Sequence, residues 1–128
     1  MRIGLSSCGK EVCEALFREY RNAGIDDIEL CNGNQELNDL DLNSVQKWAA
    51  GYGVNLWSYH LPFAPNTDIC IERKETEKHT VDLLSEQIRA AGSIGIDKFI
   101  IHPSSEPISD EERPECMKRS KDNLYKLS

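Results

Sequence analysis

Short apolar runs alternate with longer stretches whose apolar residues recur every three or four positions, and the alternation repeats four times along the 128 residues. Arg2 to Cys8 reads as a first strand. A helix from about Lys10 to Asn22 follows, with Val12, Leu16 and Tyr20 on one face and Gly24 placed to end it in a left-handed conformation. Asp27 to Cys31 is the second strand. Asn43 or Ser44 is expected to cap a second helix carrying Val45, Trp48, Ala49 and Tyr52, stopped by Gly51 and Gly53. The run from Val54 to Phe63 holds the third strand, Trp57 to His60, before a loop with two prolines from Leu61 to about Asp68. The longest helix is expected over Glu72 to Ala91, with Val81, Leu84, Ile88 and Ala91 on its apolar face; Gly92 and Gly95 end it. Lys98 to His102 is the fourth strand. Ser109 and Glu112 have capping-box spacing, and Pro114 marks the start of a regular helix running to Leu127.

Strict alternation of strand and helix implies parallel strands joined by right-handed crossovers, an α/β fold of (βα)4 type. A complete eight-unit barrel takes ~250 residues, so four units in this length match the first half of one, as a single domain over 1–128. The rival is a small doubly wound sheet. That fold would place a glycine-rich phosphate loop after the first strand, whereas Ser6-Ser-Cys-Gly-Lys10 carries one glycine and is not a Walker motif.

Composition narrows the class. Apolar residues make up 39% and charged residues 29% of the chain, as in ordinary globular proteins. No apolar stretch approaches the ~18 residues of a membrane span, and the amino terminus lacks a signal-peptide core, so a cytoplasmic setting is expected. The five cysteines are odd in number and scattered, without a C-x-x-C pair; in a reducing compartment they are expected to be free thiols. The net charge of −7 and the mixing of basic with acidic residues argue against nucleic acid as a partner.

Two histidines stand out because each closes an apolar run and is followed within two residues by proline: His60 before Pro62, and His102 before Pro103. In parallel sheets, the carboxyl ends of the strands carry the chemistry. That edge would present Cys8, Glu29, Cys31, His60 and His102. Neighbouring strands lie ~4.8 Å apart, so histidines on strands 3 and 4 could share one ion. Cys8 and His102, ~14 Å apart by the same spacing, could not, and a Cys2His2 site is rejected. Two histidines still need a further carboxylate or histidine.

Each residue also has a plainer reading. Either histidine can be a satisfied rim residue, and Glu29 can face solvent on an edge strand. Trp57, Tyr59 and Phe63 suit a core or pocket wall, Cys31 suits packing, and His79 a solvated helix face.

The segments Gly24-Ile-Asp-Asp-Ile-Glu29-Leu, Trp57-Ser-Tyr-His60-Leu-Pro62-Phe63 and Phe99-Ile-Ile-His102-Pro103 resemble the xylose isomerase-like barrel superfamily. That group joins sugar phosphate isomerases and epimerases with the endonuclease IV family of AP endonucleases. The resemblance runs through the whole chain and corresponds to the family's first four βα units. It implies a divalent metal (Zn, Mn or Mg) in the complete barrel, with none required in this chain. In the endonuclease branch, residues matching His60 and His102 bind zinc. In the epimerase branch the metal ligands come from later strands, and those positions line the sugar pocket.

The expectation is therefore the amino-terminal portion of a metal-dependent sugar or sugar phosphate isomerase or epimerase, inactive as this chain alone. Glu29 would be catalytic; Glu29, Trp57, His60 and His102 would contact the sugar; His60 and His102 would be an incomplete metal site. The alternatives are a zinc phosphodiesterase acting on abasic DNA, and a non-catalytic half-barrel forming a homodimer through its exposed edge strands.

Overall fold

The structure is a computed structural model describing residues 2–31, 39–70, 74–104 and 108–127. The elements in order are β1 (Gly4–Ser6), α1 (Glu14–Asn22), β2 (Asp27–Cys31), α2 (Leu42–Tyr52), β3 (Asn55–His60), α3 (Lys74–Ser93), β4 (Phe99–Ile100) and α4 (Arg113–Leu127). A short 3-10 turn, Pro65–Thr67, lies between β3 and α3. The four strands form one sheet in the order β1-β2-β3-β4, every pair parallel. This is the half-barrel topology that the alternation predicts.

The chain divides into two compact units. The first comprises residues 1–62 and 87–100 and contains the whole sheet with α1 and α2; the second comprises 63–86 and 101–128 and contains α4.

In the first unit, alternate strand residues turn to the helices: Ile28, Leu30, Leu56 and Tyr59 are buried. Phe17 of α1, fully buried, meets Trp48 of α2 at 6.1 Å between ring centroids, tilted by 44°. Helix α1 starts at Glu14 rather than near Lys10, because Gly9 (φ 74°) first turns the chain and Cys13 is still extended. The cap of α2 is Asp41, not Asn43 or Ser44. Its carboxylate accepts from the Asn43 and Ser44 amides at 3.1 and 3.3 Å, so those residues are the capped donors. Gly51 lies inside α2, and the left-handed residue that ends it is Gly53 (φ 63°).

The buried stripe of α3 is Thr80, Leu84, Gln87 and Ala91, while Val81 and Ile88 are half-buried. Two polar residues can occupy it because each has an internal partner. Gln87 Oε1 accepts from the Tyr59 hydroxyl at 3.1 Å within the first unit, and the Thr80 hydroxyl donates to Asn66 O at 3.1 Å within the second. The expected start of this helix at Glu72 lies outside the described residues. Strand β4 spans two residues, shorter than the expected Lys98 to His102. It pairs through Tyr59 N to Lys98 O and Leu61 N to Ile100 O, both 2.9 Å, and then Pro62 turns β3's chain away. Before α4, Ser109 and Glu112 form the expected reciprocal cap: the Ser109 hydroxyl accepts from Glu112 N at 3.2 Å and donates to Glu112 Oε2 at 2.7 Å.

The expectation of five free thiols is overturned in the second unit, where Cys70 and Cys116 are joined in a disulfide. The two lie 46 residues apart, and the fold packs α4 against the segment bearing Cys70, a long-range proximity that sequence spacing does not reveal. Cys8, Cys13 and Cys31 are free.

Candidate functional site

The register places the chemistry in rows across the sheet. Ser6, Glu29 and Ser58 form one row, and Cys31, His60 and Ile100 the next, at the carboxyl edge. The ladder shifts by one residue after Ile28, so Ile28 pairs with Leu56 and Glu29 with Ser58, leaving Trp57 as the extra residue of a bulge. Glu29 therefore lies on a strand paired on both sides, not on an edge.

A cleft of about 260 Å³ opens on this face of the sheet, lined by Gly4, Leu5, Ser6, Asp27, Glu29, Trp57, Ser58 and Ile100. The half-buried Glu29 carboxylate takes no hydrogen bond or ion pair from any described residue. A carboxylate so placed is available to an incoming hydroxyl. Trp57 is 48% exposed and carries the Lys98 ammonium 4.3 Å from its ring centroid; that ammonium also pairs with Asp97 at 2.6 Å. Ile3, Leu5 and Ile100 are also exposed, so the sheet presents apolar surface where a globular domain would bury it.

Three polar clusters fix the shape of the cleft, and sequence reasoning did not single them out. Asp27 Oδ1 accepts from Arg2 Nη2 at 2.5 Å and from Asn55 Nδ2 at 2.8 Å, which satisfies a buried carboxylate at the amino-terminal end of the strands. The signal was available: Asp27 and Glu29 are two apart on a strand and share a face. The buried Ser7 hydroxyl clips β1 to β2 through both backbone groups of Cys31. The Tyr20 hydroxyl donates to Ser6 O at 2.8 Å, and burial, with Glu19 nearby, raises its pKa above the ordinary 10.0.

His60 is half-buried at the sheet edge, its Nδ1 3.0 Å from Leu61 O. A carbonyl only accepts, so this contact is a hydrogen bond when Nδ1 carries the proton; Nε2 then bears the lone pair. His102 belongs to the second unit, two residues past β4, where its exposed ring stacks on Phe63 at 4.1 Å and 25°. Of the four residues expected from sequence, Glu29 and Trp57 share the cleft and His60 lies one row beyond it. Among the described residues no three His, Cys, Asp or Glu side chains form a group able to hold a metal ion. The donors present thus fall short of a ligand set for a divalent metal. No helix among the described residues is long and apolar enough to cross a membrane.

No curated protein matches this sequence. Among the solved structures that share its fold are two epimerases. One is a D-psicose 3-epimerase with D-tagatose from Clostridium cellulolyticum H10, with a TM-score of 0.83 at 12% identity over 99% of this chain and 47% of that one. Another is a D-psicose 3-epimerase in the presence of D-fructose, with a TM-score of 0.76 at 13% identity over 97% of this chain and 46% of that one. The chain spans about half the length of each. The sequence profile of the xylose isomerase-like TIM barrel family matches residues 17–128. Topology and profile agree, and the chain belongs to the xylose isomerase-like TIM barrel family.

Proposed function

We propose that this chain forms the amino-terminal half of a sugar isomerase or epimerase, with half of the sugar pocket on the open face of its sheet. The observation that carries the reading is Glu29: a carboxylate without a described protein partner, between Ser6 and Ser58 in register and in a cleft with Trp57. Asp27 and Glu29 line that cleft, and the nearest cations, Arg2 and Lys98, are engaged with Asp27 and with Trp57 and Asp97, which suits a neutral hydroxylated ligand better than a phosphate. The D-psicose 3-epimerases that share the fold point to the same substrate class.

Isomerases and epimerases of this kind move a proton at a carbon beside a carbonyl. Glu29 accepts a hydrogen bond from a sugar hydroxyl or takes the proton, and Trp57 offers an apolar wall to the sugar's C–H face. His60, at the rim one row beyond, contacts a further hydroxyl of the sugar. His102 keeps, from its place in the sequence alone, the role of a sugar contact in the whole enzyme. A divalent metal, as expected for the complete barrel, would draw its ligands from beyond this chain's described residues, and no step is routed through it. This chain alone is inactive, and its setting is the cytoplasm.

A titration followed by Trp57 fluorescence in a Trp48→Phe variant tests the reading. A ketohexose changes the emission with saturation, whereas a DNA duplex bearing an abasic site does not. Response to the duplex, sharpened by zinc, would instead establish a phosphodiesterase of the endonuclease branch.

The exposure of Ile3, Leu5, Trp57 and Ile100 favours a second reading, in which two copies close their edge strands on one another as a homodimer. Sedimentation equilibrium separates the two, since the dimer requires a mass that doubles with concentration.

A further inference from the structure

Helix α4 buries a polar stripe. Cys116, Ser120 and Asn123 are each no more than 3% exposed, and Arg119 lies beside them at helical spacing. Every one of these side chains reaches the connecting segments of the second unit. Cys116 is bonded to Cys70, Arg119 Nε donates to Cys70 O at 2.8 Å, Asn123 Nδ2 donates to Ile69 O at 2.8 Å, and the Ser120 hydroxyl donates to Pro103 O. Asp68 Oδ1 accepts from Cys70 N at 2.7 Å and sets the turn that presents the sulfur. The segments held in this way are those that bear Phe63 and His102, whose rings stack.

We propose that Cys70 and Cys116 form a reversible redox latch fastening the 63–70 segment to α4, opened by a dithiol or by two monothiols. Both cysteines are buried, Cys70 at 9% and Cys116 at 2%, so a local opening of the 63–70 segment first admits the reagent's thiolate, which attacks the less covered Cys70. The protein S–S bond breaks as the mixed S–S bond forms, and Cys116 leaves as a thiolate in the first turn of α4, where the helix N-terminus favours negative charge. A second reagent thiol resolves the mixed disulfide. Two electrons and two protons have then passed to the protein, and the reagent has become a disulfide. A disulfide of a small thiol reverses the sequence. With the latch open, the Ser120 bond to Pro103 keeps α4 docked. The 63–70 segment loses its covalent tie and is held only by the Arg119 and Asn123 hydrogen bonds to Cys70 O and Ile69 O, which open more readily.

The inference does not depend on the sugar reading. Its test is a thiol count in denaturant joined to amide hydrogen exchange of the folded protein. Protein kept from reductants should titrate three thiols, and five after reduction, since Cys8, Cys13 and Cys31 are free. Dithiothreitol should speed exchange in residues 64–70 and in the first turns of α4 by about tenfold, and glutathione disulfide should restore protection. Cys70→Ser and Cys116→Ser should each show the fast exchange without reductant and no response to it. Five thiols before reduction, or exchange indifferent to dithiothreitol, would overturn the latch.

Discussion

The hydroxyl of Ser7 makes both strand-like hydrogen bonds to Cys31, donating to its carbonyl at 2.9 Å and accepting from its amide at 2.7 Å. A side chain thereby extends the β1–β2 ladder by one rung past Ser6, where β1 ends. Ser7→Ala removes both of these hydrogen bonds from a buried residue, at about 1–3 kcal/mol for each group left unsatisfied. Urea unfolding should show the midpoint falling with the slope unchanged. A loss below about 0.5 kcal/mol would mean that water takes both groups over.

Glu29 should behave in the opposite way. Its carboxylate draws no stabilisation from any described residue, so Glu29→Gln should leave stability unchanged or raise it slightly, within about 0.5–1 kcal/mol. The same substitution should abolish the response of Trp57 to a ketohexose. A large destabilisation would assign Glu29 a structural role.

Phe17 and Trp57 separate the closed side of the sheet from the open one. Phe17→Ala removes a fully buried ring and should cost about 3–5 kcal/mol at any protein concentration. Trp57→Ala acts on an exposed ring and should cost less than about 1 kcal/mol in the monomer. If a second copy covers this face, the cost of Trp57→Ala rises with concentration, which melting over a concentration series reveals.

Two caps contribute stability that acid removes. The Ser44 hydroxyl, then the Ser44 amide, hold Asp41 below the ordinary 3.8; the Ser109 hydroxyl, then the Ser109 amide, hold Glu112 below 4.5. A lowered folded-state pKa stabilises the fold above the ordinary value, and that stability is lost as pH falls through the lowered one. Ser44→Ala and Ser109→Ala should each flatten the acid limb of the stability curve, and carboxyl NMR titration should place Asp41 and Glu112 nearer their ordinary values.

The periodic apolar pattern carried the fold because each strand–helix alternation leaves one arrangement open to parallel strands, and β2 occupies the residues expected of it. The position of Glu29 inside β2 was legible because a charge within an apolar strand stands out. Asp41 is hard to pick out from sequence because Asn43 and Ser44, whose amides it caps, are themselves capping residue types. The polar stripes of α3 and α4 escaped because Gln87, Thr80, Ser120 and Asn123 read as solvent-facing until their long-range partners are known. The Cys70–Cys116 bond was illegible for the same reason, its ends being brought together only by the folded second unit. His102 was expected to end a strand, but β4 stops two residues earlier and the ring stacks on Phe63 instead.

The central claim, a sugar pocket built on Glu29 in the open face of the sheet, is tested most directly by mapping D-tagatose onto the backbone amides of the 15N-labelled chain by NMR. Saturable shifts at Ser6, Glu29, Trp57 and Ser58, lost in Glu29→Gln, are the predicted result. Shifts confined to other residues, or shifts at the cleft that survive Glu29→Gln, would contradict it.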